Sequence, residues 1–423
     1  TYSVQGTKIF ISGGDNDLSE NVIHLVLARI EGAPAGTKGI SLFLVPKVAV
    51  GEDGGLGARN GVSCGSIEDK MGIKASATCV MNFGDEGNCL GEVVGGIEHQ
   101  GIRQMFHMMN AARIGVGIQG LAVAAASYMS ALEYARERKQ GASVKSFKDA
   151  NAPRVPILQH PNIRRDLLEM KARVEGVRAL IMKLSNHADR LKATRGKDDE
   201  SEAYHKGQID LLTPLVKAYG TDAAFEVSSK AIQVHGGHGY LRDYPVEQYC
   251  RDSKIFQIYE GTNFIQSMDL VSRKLGQAGG ANTQAFLTDI QTFINENKET
   301  AELQTGIQHL QAAHEAVAAS VMQFIGWFKG GKIEHIPLAA EEFLTIMSDL
   351  AVGWLLLQQA SIAVAKLPET SESHPDHAFY TGKKFAAQFF ANNTLATIPS
   401  RVQRLMKIDT LPVDMPDEAF ATI

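Results

Sequence analysis

A carboxylate set between an aromatic residue and a glycine, just ahead of a helix cap, can move a proton. Tyr259-Glu260-Gly261-Thr262 is such a segment. Thr262 can cap a helix that begins at Asn263 and packs through Ile265 and Met268. Such a carboxylate can sit at a pocket wall, the setting a general base needs. The ordinary alternative is an exposed loop glutamate. Upstream, Gln233-Val234-His235-Gly236-Gly237-His238-Gly239-Tyr240 follows a helix with three glycines. Without Cβ atoms such a loop takes positive φ and brings backbone N–H groups close to an anion. A plain glycine C-cap is the alternative. His235 and His238 sit on this loop with no acidic or cysteine partner, so no metal site is expected. His314 falls in an apolar helical stripe and reads as a satisfied core or boundary residue.

The elements that must carry these segments change character along the chain. Residues 1–92 read as β: short apolar runs separated by Gly, Pro and Asn-Gly signals, spaced for a sandwich or small barrel. Residues 2–11 look like a hairpin turning at Gln5-Gly6. A chain opening on Thr1 within a hairpin implies that strands precede it, so a fragment of a longer protein is expected. From Gly101 the apolar period becomes helical. Ile114, Ile118, Leu121, Ala125, Tyr128 and Leu132 form one stripe. Ile163, Leu167, Met170, Val174, Val177, Ile181 and Leu184 form a second. Residues 139–161 read as a long exposed loop and 195–202 as a charged connection. Thr213-Pro214 reads as the start of another helix. Residues 276–282 read as a flexible linker and domain boundary. Leu303, Ile307, Leu310, Val317, Val321 and Phe324 mark helix again beyond it.

The expected fold is therefore α+β and multidomain but mostly α. A partial β-sandwich or barrel domain (1–92) precedes an antiparallel helical bundle (93–275) and an additional C-terminal helical domain (283–423). Two or three domains suit 423 residues. A net charge of −5 argues against a general nucleic-acid binder. The four cysteines form no CxxC pair and read as reduced thiols in a cytosol-like compartment. The longest apolar run, residues 350–365, is broken by Gln358, Gln359 and Ser361, so it reads as a buried helix and no membrane span is expected.

Taken together, residues 233–262 resemble the acyl-CoA dehydrogenase family, in which a Q-x-x-G-G-x-G-[YF] loop is followed by R-D-x-K-I-x-Q-I-Y-E-G-T. Tyr244-Pro245-Val246-Glu247, between the two, also matches. Ala112-Arg113-Ile114-Gly115-Val116-Gly117 and Tyr134-Ala135-Arg136-Glu137-Arg138-Lys139 look like the family's helices after its β domain. Phe10-Ile11-Ser12-Gly13-Gly14 looks like its W-I-T/S-N-G strand end. The resemblance covers residues 1–275. Residues 283–423 resemble the extension of larger bacterial members, including methylthiopropionyl-CoA dehydrogenase-like proteins.

The resemblance implies an FAD enzyme that converts an acyl-CoA thioester to a trans-2-enoyl-CoA. Glu260 would be the base for the α-proton, and flavin N5 would accept the hydride. Phe10, Ile11 and Ser12 would touch the flavin ring, and Arg138 the pyrophosphate across a dimer interface. His160 would be a flavin contact in that neighbouring subunit. Gln233, Val234, His235, Gly236 and Gly237 would cradle FAD, with Thr262 and Asn263 at its adenine side. Asn110, Arg113, Tyr259 and Gly261 would lie on the substrate side. Arg113 has bracing of the bundle as its alternative, and His160 simple helix initiation. An electron-transfer flavoprotein would be the acceptor and a homodimer or tetramer the assembly. Phe10 stands where Trp is common and Asn110 where Asp is common; Phe264 replaces a polar residue of some members, and the 138–141 loop carries an insertion. The resemblance implies that the family's N-terminal helical domain would precede Thr1, so it too points to a fragment. An acyl-CoA oxidase and a silent assembly module are alternatives. A nucleic-acid-associated flavoprotein relative is disfavoured, because residues 283–423 hold 16 acidic against 9 basic side chains.

Overall fold

The computed structural model describes residues 1–146 and 148–421. The chain divides into two compact units, Thr1–Ala112 and Arg113–Ile423.

The first unit holds nine strands: β1 (Tyr2–Ser3), β2 (Gly6–Ser12), β3 (Ile23–Arg29), β4 (Ile40–Pro46), β5 (Val48–Val50), β6 (Leu56–Arg59), β7 (Val62–Ile67), β8 (Thr78–Phe83) and β9 (Leu90–Val93). One antiparallel sheet runs β1-β9-β4-β3 and another β2-β8-β7, with β5-β6 as a separate ladder. Val26, Phe43, Val45, Met81 and Phe83 meet in one core between them. This is the expected sandwich, but the hairpin expected over residues 2–11 does not form. β1 pairs with β9 and β2 with β8. The reason is Val4, which is buried and whose N–H donates to Cys89 O at 2.7 Å. Pinned there, the chain crosses from one sheet to the other. β2 also carries a register shift between Lys8 and Ile11. Such a bulge re-aims side chains. Phe10, at φ 59°, stands 68% exposed.

The second unit is helical. α1 (Gly101–Glu137) begins in the first unit and continues into it, followed by a short ladder of β10 (Lys139–Ala142) and β11 (Arg154–Pro156). The expected loop over 139–161 is thus partly a strand pair. α2 (Pro161–Thr194) and α3 (Asp199–His235) pack along each other. α3 starts where Asp198 accepts a hydrogen bond from Ser201 N–H. It does not start at Thr213-Pro214: the helix runs straight through Pro214. The proline removes one helical donor. Leu211, Leu212, Leu215 and Val216 are all buried across it, and that continuous packing outweighs the lost bond. The Thr213 hydroxyl donates back to Ile209 O at 2.7 Å.

α4 (Val246–Ser253) and α5 (Asn263–Asp269) follow. The remaining helices are α6 (Ala281–Asn297), α7 (Gln304–Lys329), α8 (His335–Lys366), α9 (His377–Asn393), α10 (Ile398–Met406) and α11 (Leu411–Asp414). The break expected at 276–282 is a short 3-10 turn, Gln277–Gly280, leading directly into α6. It is pinned on both sides: Gln208 donates to Asn282 O at 2.9 Å and Thr283 to Leu275 O at 3.2 Å. Leu180, Leu215, Leu270, Phe286, Phe343 and Leu350 share one core. Apolar stripes on both sides of the turn bury each other, so the helices beyond it are continuous with the bundle. α8, the apolar run noted in the sequence, is buried over most of its length in this core. His314 Nε2 donates to Leu287 O at 3.0 Å, a structural role, while its Nδ1 is buried with no partner among the described residues.

Candidate active site

The Glu260 turn is built from two successive left-handed residues, Glu260 at φ 57° and Gly261 at φ 83°. For a residue with a Cβ this conformation costs about 1–2 kcal/mol, so something must hold it. Thr262 caps α5 by accepting from Ile265 N–H at 3.2 Å, as its position ahead of Asn263 predicts. Gln266, fully buried on α5, reaches back and donates to Gly261 O at 3.2 Å and Glu260 O at 3.5 Å. From the opposite side comes Lys217 of α3, also fully buried. Its Nζ donates to Gly261 O at 2.8 Å and to Asn263 Oδ1 at 2.9 Å. Asn263 passes the contact on, donating to Asp222 Oδ1 at 2.7 Å and Thr221 Oγ1 at 3.1 Å.

The electrostatics follow from this burial. Desolvation lowers the Lys217 ammonium to about 8, with Asp222 and Glu260 raising it and Arg113 lowering it further. Burial raises the Asp222 carboxyl, against hydrogen bonds from Gln257 and Asn263. Tyr259 is pushed up to about 12, by burial first and then by the Glu260 charge, so it stays a neutral phenol. Its hydroxyl donates to Gln119 Oε1 and its ring stacks on Phe256. The Glu260 side chain itself is only half-buried. Among the described residues no acceptor takes the Glu260 N–H. The turn therefore offers a carboxylate and a free backbone donor side by side.

A second site lies at the end of α3. Tyr134, Arg138, Gln140, Ile157, His160, Asn162, Ile163 and residues 233–238 line one cleft of 610 Å³. All seven residues of the sequence-expected Arg138, His160 and Gln233–Gly237 set come together there. Gly236, at φ 61°, is the C-cap of α3, so the capping reading holds as well. A Cβ on Gly236 or Gly237 would meet nothing within 4 Å, which shows the loop's open face. Among the described residues no carboxylate pairs with Arg138. His160 is oriented by Gln140 O at 2.7 Å. His235 stacks on Tyr134 with ring centres 4.4 Å apart, and the Tyr134 hydroxyl meets His238 Nδ1 at 2.7 Å. A cation, a glycine face and an apolar wall of Ile157, Ile163 and Val234 suit an anion attached to a flat aromatic group. A dinucleotide presents both.

The other expected residues distribute as follows. In the first unit, Ile11 lines an apolar cavity of 240 Å³ with Met105, Met108 and Met109. Ser12 and Phe10 are exposed. Asn110 lines a 580 Å³ cavity with Lys38, His99, Arg103 and His107. Arg113 is 6% exposed, with Nη1 3.3 Å from Asp269 Oδ2, which is the bracing arrangement. Sequence reading passed over Lys217, Asp222, Gln266 and Gln119. One signal was available for Lys217: it is a lone cation directly after the apolar run Leu211-Leu212-Thr213-Pro214-Leu215-Val216.

Residues 99–275 match the family model described as acyl-CoA dehydrogenase, C-terminal domain. Residues 286–416 match acetyl-CoA dehydrogenase C-terminal like. A broad-specificity linear acyl-CoA dehydrogenase of Mycobacterium tuberculosis is 38% identical over 99% of this chain and 70% of its own length. The 3-methylmercaptopropionyl-CoA dehydrogenase of Ruegeria pomeroyi is 40% identical over 96% of this chain and 66% of its own. An acyl-CoA dehydrogenase of Bacillus anthracis, solved with FAD, shares the fold at a TM-score of 0.69 and 21% identity, over 99% of this chain and 65% of that one. The chain thus spans about two thirds of the length of these relatives.

Proposed function

We propose that this chain, which belongs to the acyl-CoA dehydrogenase family, carries the proton-abstracting and FAD-holding parts of an acyl-CoA dehydrogenase. The observation that carries the reading is the Glu260 turn: a half-buried carboxylate and an unspent backbone N–H on one clamped left-handed residue. The N–H of Glu260 donates a hydrogen bond to the thioester carbonyl and withdraws charge from it. That acidifies the neighbouring α-C–H. The carboxylate of the same residue then takes the α-proton. Bound FAD supplies the acceptor for the hydride that leaves the β-carbon, and the product is a trans-2-enoyl-CoA. Arg138 and the Gly236-Gly237 face hold the pyrophosphate, and His160, Gln233, Val234 and His235 complete that wall. Thr262 and Asn263 serve the adenine side, and Phe10, Ile11 and Ser12 the ring. Asn110, Tyr259 and Gly261 are the substrate-side residues; Arg113 acts on that side through its brace on Asp269. On family resemblance the electron acceptor is an electron-transfer flavoprotein and the assembly a cytoplasmic homodimer or tetramer.

The test is Glu260→Gln in the full-length protein. The flavin-to-protein ratio stays at the wild-type value. Bleaching of the flavin by acyl-CoA slows by about 1,000-fold or more, the scale of a lost general base. Bleaching at the wild-type rate removes Glu260 as the base.

A further inference from the structure

Lys217 is a fully buried lysine that, among the described residues, forms no ion pair. Taking an ammonium out of water is costly, and neutral oxygen acceptors offset that less well than a carboxylate does. A methionine or leucine would fill the same space in α3 at lower cost, so packing alone does not account for the residue. What the ammonium does is specific. It grips the carbonyl of Gly261, the residue directly after Glu260, and the side chain of Asn263, the first residue of α5. The gripped segment is the one held in two consecutive left-handed conformations.

We infer that Lys217 is the positioning residue of the Glu260 turn, fixing the peptide that follows the base so that carboxylate and backbone N–H share one orientation. This rests on Glu260 being the base. Gln266 on α5 also holds the Gly261 carbonyl, together with that of Glu260, and the groups facing Lys217 are Asp222 on α3, Arg113 on α1 and Glu260 on the turn. The ammonium touches no reacting atom; it acts through Gly261. A misplacement of about 1 Å at a reacting group costs about 100-fold in rate, which sets the size of effect to look for.

The experiment compares Lys217→Met and Lys217→Gln with wild type in the full-length, flavin-loaded protein. Three things are measured: the rate of acyl-CoA-driven flavin reduction, the substrate Kd from the flavin spectrum, and amide hydrogen exchange of residues 258–264 without substrate. Lys217→Met is expected to slow reduction by about 100-fold with Kd within about threefold. Exchange across the turn rises about tenfold, while the thermal midpoint is unchanged or higher. Lys217→Gln keeps an N–H donor and recovers part of the rate. Unchanged reduction and exchange in Lys217→Met overturn the inference. So does a loss that simply follows flavin content and thermal midpoint, with Lys217→Gln no better. If Lys217→Met does not fold, Lys217→Gln decides by the same readouts, since its shorter reach must still slow reduction and loosen the turn. Glu260→Gln run in parallel separates the two readings: wild-type reduction there removes the base assignment, whereas faster exchange in Lys217→Met still establishes the clamp.

Discussion

Two buried charges in the helical unit are handled in opposite ways. Asp349 of α8 is 3% exposed, and its carboxylate accepts from Arg401 Nη1 at 2.7 Å and from the Tyr219 hydroxyl at 3.0 Å. It ties α8 to α10 and α3. Burial raises its pKa, and the Arg401 hydrogen bond and charge pull it back. Lys217 of α3 forms no ion pair among the described residues and spends its donors on a carbonyl and an amide beside Glu260. A paired buried charge fastens helices together; an unpaired one aimed at a strained turn holds a geometry. The first is expected to show in stability and the second in rate.

The strongest way to break that contrast is Asp349→Ala. It leaves the Tyr219 hydroxyl and Arg401 Nη1 without that acceptor, though Arg401 keeps Glu342, and is expected to cost about 3–5 kcal/mol in urea unfolding. The flavin reduction rate of the folded fraction stays within about twofold of wild type. A large rate loss at full stability would merge the two classes.

The His187–His205 pair sharpens the comparison as a third, uncharged case. The two rings meet at Nδ1–Nδ1 2.9 Å inside the bundle, so one must donate and the other accept. Burial first, then Lys183 and the other nearby cations, lowers His187 from 6.5 to about 4. The unfolded chain takes its proton near 6.5 and the folded chain only near 4. The stability present above pH 6.5 is therefore lost as pH falls toward 4, by about 3 kcal/mol in all. Urea midpoints across that range check it, and His187→Phe should flatten the dependence.

Smaller effects probe the turn itself. Gly261→Ala places a Cβ at φ 83° and 3.0 Å from Gln266 Nε2. It is expected to cost about 1–2 kcal/mol and to slow flavin reduction by about tenfold. Thr262→Ala removes only the cap, about 1 kcal/mol, with the rate nearly kept. Thermal midpoints alongside stopped-flow reduction separate the two.

Much of this was legible in the sequence where the determinant is contiguous. Residues 233–262 announced the family because the glycine loop, the cap and the glutamate lie on one short stretch. The matches over residues 99–275 and 286–416 bear that out, as they do the likeness of the C-terminal extension. Thr262 was legible as a cap because capping is local. The mostly helical α+β class was legible because periodicity is local too. Errors arose where a distant partner decided. The hairpin over residues 2–11 lost to the pairing of Val4 with Cys89. The helix start at Thr213-Pro214 lost to continuous packing of α3. Residues 276–282, read as a linker, fall between the two matched stretches and form a short turn between helices that share one core.

The sequence by itself determined the family and the two glycine-bearing segments, because each is a short string with its own local chemistry. Only the tertiary structure decided that Lys217, forty-odd residues before Glu260, reaches the same turn. A buried ammonium finds its acceptors through the packing of α3 against α5, and no local pattern encodes that approach.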